Sequence, residues 1–121
     1  MFMAKQDRLA AANKFLETIA GCGRKFFRHG YFVSTLELSS SGKVFFIDYY
    51  TEKRINTHKE GHWNGFTSGG SLKMLIGALR DFVITGEKLN AKYFDPEISP
   101  WGYGEDILKV KESAIALGIA E

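Results

Sequence analysis

Cysteine occurs once in these 121 residues, at Cys22, and proline twice. A single thiol excludes an intrachain disulfide, so the fold must rest on its core, and a reducing, cytoplasmic setting is expected. No apolar run reaches the roughly 20 residues that a membrane-spanning helix needs, so no membrane partner is expected. The opening MFMAKQDRLAAANKF has no apolar segment before its charges begin, unlike a secretion signal. Neither G-x-x-x-x-G-K-[ST] nor G-x-G-x-x-G is present, and there is no C-x-x-C pair. These absences remove the common signatures of phosphate-loop nucleotide binding, dinucleotide binding and zinc ribbons. No pair of carboxylates stands out for acid–base chemistry, and a nucleophilic Cys22–His dyad has no assembled setting in the sequence. An enzyme is therefore the third reading, behind two kinds of binding protein.

What is present fits one α+β domain over residues 1–121. The chain is 45% hydrophobic and 25% charged, within the normal range for a globular protein. Its 14% aromatic content, with ten phenylalanines, is high enough to put some rings on the surface. The net charge is only +2, but its distribution is uneven. From Arg24 to His62 there are seven bases against four acids, and all three histidines fall there.

Residues 7–20 read as a helix with Asp7 as N-cap and Leu9, Ala12, Leu16 and Ile19 on one stripe. Gly21 and Gly23 end it. YFVSTLEL and KVFFIDYY are β-branched and aromatic, with the turn SSSG between them. Phe32, Leu36 and Leu38 are expected on one face of the first strand. In the second, Val44 and Phe46 oppose Phe45, Ile47 and Tyr49; apolar on both faces, it is the central strand. RINTHK forms a short third strand, with Ile55 and Thr57 inward and Arg54, Asn56 and His58 outward. Residues 68–85 form the clearest helix, striped by Leu72, Leu75, Ile76, Leu79, Phe82 and Val83 and stopped at Gly86. Arg80 and Asp81 lie off that stripe and are expected to be solvated. A long connector holding both prolines leads to a last amphipathic helix over 105–117. The element order is α-β-β-β-α-α, a three-stranded antiparallel meander with helices packed on one face.

The segment α-β-β-β-α over 7–85 resembles double-stranded RNA-binding domains in element order. Those domains carry a lysine cluster at the start of the final helix. Here SGGSLK offers Lys73 alone, and the chain is not assigned to that family.

Four clusters remain. GRKFFRHGYF interleaves bases with rings, and with the third strand it gives Arg24, Lys25, Arg28, Lys53, Arg54 and Lys59 as a nucleic-acid-binding face. Ser68, Gly69, Gly70 and Ser71 open a helix, where unpaired N–H groups favour an anion, although a plain turn onto the helix is the simpler use. Among the aromatics, Trp63 and Trp101 are the expected anchors for a protein partner. Cys22, His29, His58 and His62 match a closed zinc site in number, and the His58-x-x-x-His62 spacing is acceptable, but Cys22 and His29 are not a familiar ligand pairing, so no metal and no other cofactor is expected. The leading expectation is a non-catalytic module that binds a macromolecule, nucleic acid preferred. The alternative is a protein–protein inhibitor or adaptor, in the style of a phage or mobile-element accessory factor. A homodimer through the sheet is a variant of either.

Overall fold

A computed structural model of the chain describes residues 4–21, 27–49, 52–58, 63, 66, 70–90 and 105–120. For residues 29, 70–72, 105 and 106 the description is of the backbone alone.

The first helix, α1 (Lys5–Ala20), buries Ala11, Ala12, Phe15, Leu16, Ile19 and Ala20. These positions recur at three- and four-residue steps, the spacing that keeps side chains on one helical face. Its N-cap is Ala4, not Asp7. Asp7 sits one turn inside the helix, where its carboxylate accepts the Ala4 N–H at 3.2 Å. That acidic group still faces the positive end of the helix dipole.

Among the described residues, five strands follow. The first two, β1 (Arg28–His29) and β2 (Phe32–Val33), pair as a separate antiparallel ribbon. The meander is β3 (Thr35–Leu38), β4 (Val44–Asp48) and β5 (Lys53–Asn56), in the spatial order β3-β4-β5. The β4 strand is therefore central, as its two apolar faces require. The sequence YFVSTLEL is split between ribbon and sheet rather than forming one strand. The break is at Ser34, which is buried; its N–H donates to the Phe27 carbonyl at 2.7 Å and its hydroxyl accepts the Tyr49 N–H at 3.2 Å. Alternation does not carry across that bend, so Leu36 is buried while Phe32 is 62% exposed.

Leu36, Val44, Phe46 and Ile55 form the inner face of the sheet. Onto it pack α1 and α2 (Gly70–Thr85), the latter through Leu75, Ile76, Leu79, Phe82 and Val83. The rings of Phe27, Phe46, Phe66 and Trp63 run edge-to-face through this core at centroid separations of 5.4–5.9 Å. Much of the high aromatic content is used here, each buried ring contributing about 1.5–3 kcal/mol. The α2 helix stops at Gly86, whose φ of +81° places it in the left-handed region. Arg8 of α1 completes that end: Nε donates to the Val83 carbonyl at 2.9 Å and Nη2 to that of Ile84 at 3.2 Å. A guanidinium at a helix C-terminus satisfies otherwise unpaired carbonyls and opposes the dipole. The third helix, α3 (Glu105–Ala116), adds Ile107, Val110 and Ala114 to the core. The chain end is tied back where the Leu89 N–H meets the Ile119 carbonyl at 2.9 Å.

One expectation on α2 changes, and another falls partly outside the described residues. Gly70 and Ser71 are its first residues, while Ser68 and Gly69 lie outside the described residues. Arg80 is drawn inward to donate to the Thr57 carbonyl and, at 2.9 Å, to Asp81. Among the described residues, no helix is long and apolar enough to cross a membrane.

Candidate binding face

The face of the sheet turned away from the helices is built by alternation along β4. Val44, Phe46 and Asp48 point inward, while Phe45 and Ile47 point out and are half-covered. Register places Thr35, Ile47 and Arg54 in one cross-strand row and Glu37, Phe45 and Asn56 in the next. Arg54 leans diagonally from its row into the second. Its guanidinium carbon lies 3.6 Å from the centre of the Phe45 ring, and Nε and Nη2 donate to Glu37 Oε1 at 3.1 and 2.9 Å. The ring holds the cation by its quadrupole and the carboxylate fixes its direction. Both charged side chains remain about half exposed, at 49% and 51%. Solvent screening therefore limits the pair to a small stabilisation.

At one end of this face stands the ribbon. Gly30, with φ +60°, and Tyr31 form its two-residue turn, the glycine-first pattern that matches strand twist. Arg28 braces the turn by donating from Nε to the Gly30 carbonyl at 2.9 Å. Tyr31 at the tip is 97% exposed. Phe32 stacks on Tyr49, with ring centres 5.7 Å apart and planes 25° apart. A groove of about 400 Å³ separates this ring group from α1, where Asn13, Lys14 and Glu17 form the opposite wall.

Of the expected nucleic-acid contacts, register places Arg54 on this face; Lys53 pairs with the inward-pointing Asp48 and so falls on the helix side of the sheet, while Arg28 belongs to the ribbon. Lys53 and Arg28 are exposed. Arg24, Lys25 and Lys59 lie outside the described residues, as does Trp101. Trp63 is only 3% exposed and belongs to the core, so it presents no surface to a partner. Among the described residues, the exposed rings are Tyr31, Phe32 and Tyr49. Tyr31 and Phe32 close the GRKFFRHGYF segment, but one strand read through YFVSTLEL puts Phe32 on the same face as Leu36 and Leu38. The signal was HGYF, in which a Gly-X pair between two short extended segments marks a tight hairpin.

Of the four cysteine and histidine residues, only His58 has a described side chain. Its Nε2 accepts the Val44 N–H at 2.9 Å. Beside it the Thr57 hydroxyl donates to the Val44 carbonyl at 2.7 Å. Two side chains thus continue the ladder where the backbone pairing of β5 stops. Burial, then the positive charges of Arg80 and Lys43, lower the His58 pKa from its ordinary 6.5, against an opposite pull from Asp81. Among the described residues, no three histidine, cysteine or acidic side chains group as metal ligands.

Comparison with known proteins places this geometry in a family without supplying its ligand. A protein of Bacillus subtilis (strain 168), described as "SPbeta prophage-derived uncharacterized protein YoqU", is 32% identical over 81 residues, or 65% of this chain. The match spans 58% of that relative's length. No solved structure matches. A family model described as YoqU matches residues 3–121, and the chain belongs to the YoqU family.

Proposed function

We propose that the protein is a non-catalytic binding module that takes single-stranded nucleic acid on the outer sheet face and the ribbon. The observation that carries this reading is the Phe32–Tyr49 stack, exposed to solvent beside the fully projecting Tyr31. An exposed ring stack with no core above it is a platform on which unpaired bases continue the stacking, at about 1–3 kcal/mol per base. Arg54 on the sheet face, with Arg28 on the adjoining ribbon, supplies the cations that phosphates require. A duplex keeps its bases stacked inward and offers these rings nothing comparable. The relative's description as prophage-derived fits an accessory factor of a phage or mobile element.

The groove between α1 and the ribbon favours a second reading, a protein inhibitor or adaptor. Its rings include two tyrosines, a residue type that concentrates binding energy at protein interfaces. One experiment separates the two. Labelled single-stranded and duplex DNA and RNA are titrated at low and at physiological salt, with wild type and with Tyr31→Ala and Phe32→Ala. Single strands are expected to bind with a steep salt dependence, and each variant to weaken them at least about fivefold. The protein should stay folded, because both side chains are exposed. Absence of binding at low salt ends the nucleic-acid reading. Capture of a protein that survives nuclease and is lost in the same two variants would establish the second.

A further inference from the structure

A cavity of about 510 Å³ opens on the helix side of the sheet, where α2 passes the end of β5. Among the described residues, its walls include His58, Trp63, Lys73, Gly77, Arg80 and Asp81. Three features of these walls converge on one kind of ligand.

Arg80 is held before anything binds. Nε donates to Asp81 Oδ1 at 2.9 Å, Nη1 donates to the Thr57 carbonyl, and the side chain is 22% exposed. A guanidinium fixed at two of its nitrogens presents its remaining donors in a set direction, which suits a planar or tetrahedral oxyanion. Lys73 is the second cation, with Nζ 5.2 Å from the centre of the Trp63 ring. Among the described residues Asp81 is the one carboxylate in the wall, and it is engaged by Arg80. Because His58 accepts at Nε2, its neutral ring carries the proton on Nδ1 and has a donor left.

The third feature is Gly77. It lies in the interior of α2, where glycine is less stable than alanine. Among the described residues, an added Cβ would meet only Arg80 Nη2, at an ordinary 3.8 Å. What the absent methyl leaves open is the approach to that nitrogen.

We propose that this cavity binds a phosphoryl group, with Arg80 and Lys73 as its cationic contacts and Gly77 as the opening that admits it. The phosphoryl group belongs either to a small molecule or to a nucleic-acid backbone. The site is distinct from the exposed ring group, and its chemistry does not depend on the function proposed for that face.

The test uses the full chain and follows the Gly77 amide and the Arg80 Nε–H by NMR. Inorganic phosphate, a nucleoside 5′-monophosphate and a short single-stranded oligonucleotide are each titrated, with sodium chloride at matched ionic strength as control. Saturable shifts at both groups with phosphate, absent with chloride, are expected. Stronger binding of the monophosphate than of phosphate identifies a small-molecule ligand; affinity that grows with oligonucleotide length identifies a backbone. Arg80→Gln should abolish the response. Arg80 also anchors Thr57, so Gly77→Ala is the decisive variant. It is expected to raise the melting temperature while weakening phosphate about tenfold. The proposal is overturned if neither group responds to any of the three probes. It is equally overturned if Gly77→Ala binds phosphate as wild type does, or if the oligonucleotide moves only the Phe32 and Tyr49 signals.

Discussion

The side-chain amide of Asn13 closes on both backbone groups of Leu36. Nδ2 donates to the Leu36 carbonyl at 3.0 Å, and Oδ1 accepts the Leu36 N–H at 2.7 Å. Leu36 lies on β3, the outer strand of the meander, and these two groups point away from β4. An amide has the same donor and acceptor as a peptide unit, so α1 presents one residue's worth of imitation strand. The adjoining outward N–H, that of Ser34, is taken by the Phe27 carbonyl. A free strand edge is a template for pairing with another chain, and here a helix side chain covers it.

Asn13→Ala should therefore do two things. It leaves the Leu36 groups without their partner in a half-covered position, at a cost of about 1–2 kcal/mol, because water replaces part of what is lost. It also uncovers the edge, so self-association should rise with concentration. Denaturant midpoints give the first effect and sedimentation the second. Asn13→Asp restores only the acceptor and sets a carboxylate against the Leu36 carbonyl, so it should remain below wild type. Full stability and a monomeric Asn13→Ala protein would remove the clamp from both roles.

The acid side of the stability curve should depend on His58. Its folded pKa lies below the ordinary 6.5, first through burial and then through Arg80 and Lys43. The unfolded chain then binds the proton more readily than the folded one. The stabilisation is fully present above the unfolded value and is lost as pH falls through the folded value. The structural reason is direct, since a protonated Nε2 cannot accept the Val44 N–H. Urea midpoints of wild type and His58→Gln, compared from about pH 7.5 to about pH 5, isolate this residue from the other histidines. Glutamine supplies a carbonyl acceptor that does not titrate in that range, so its curve should be flatter on the acid side. Parallel curves would show that the bond to Val44 has no part in acid sensitivity.

Much of this architecture could be read from pattern. The stripe Leu75, Ile76, Leu79, Phe82 and Val83 located α2, and the two apolar faces of KVFFIDYY placed that strand in the centre. Both follow from periodicity, which depends only on near neighbours in the chain. The clamp of Asn13 on Leu36 joins residues 23 positions apart, and the anchoring of Arg80 on Thr57 spans the same separation. Neither leaves a local trace. Trp63 failed as a surface anchor because aromatic character alone does not distinguish a core ring from an interface ring. Its partner Phe66, at 5.4 Å, makes that difference. Phe32 failed the other way, through a bend at Ser34 whose bonds to Phe27 and Tyr49 are tertiary.

Arg54 and Glu37 give a test of the proposed face in which two changes have opposite signs. In the free protein Glu37 Oε1 holds Arg54 through two nitrogens, and the guanidinium rests on Phe45. A phosphate arriving at Arg54 must compete with that carboxylate and is also repelled by it. Glu37→Gln removes both effects while leaving a neutral acceptor. Single-stranded nucleic acid should bind this variant about three- to tenfold more tightly at low salt, with a steeper salt dependence. Arg54→Ala should weaken binding and lower the salt slope by about one. Neither should change stability by more than about 1 kcal/mol, because the pair is half exposed and screened. Chemical denaturation alongside the titrations keeps folding effects apart from binding. If both substitutions weaken binding equally, the pair acts as a rigid scaffold for Phe45 and the cation is not a phosphate contact. If neither alters it, the ligand does not reach this row of the sheet, and the ribbon with Tyr31 and Phe32 carries the interaction alone.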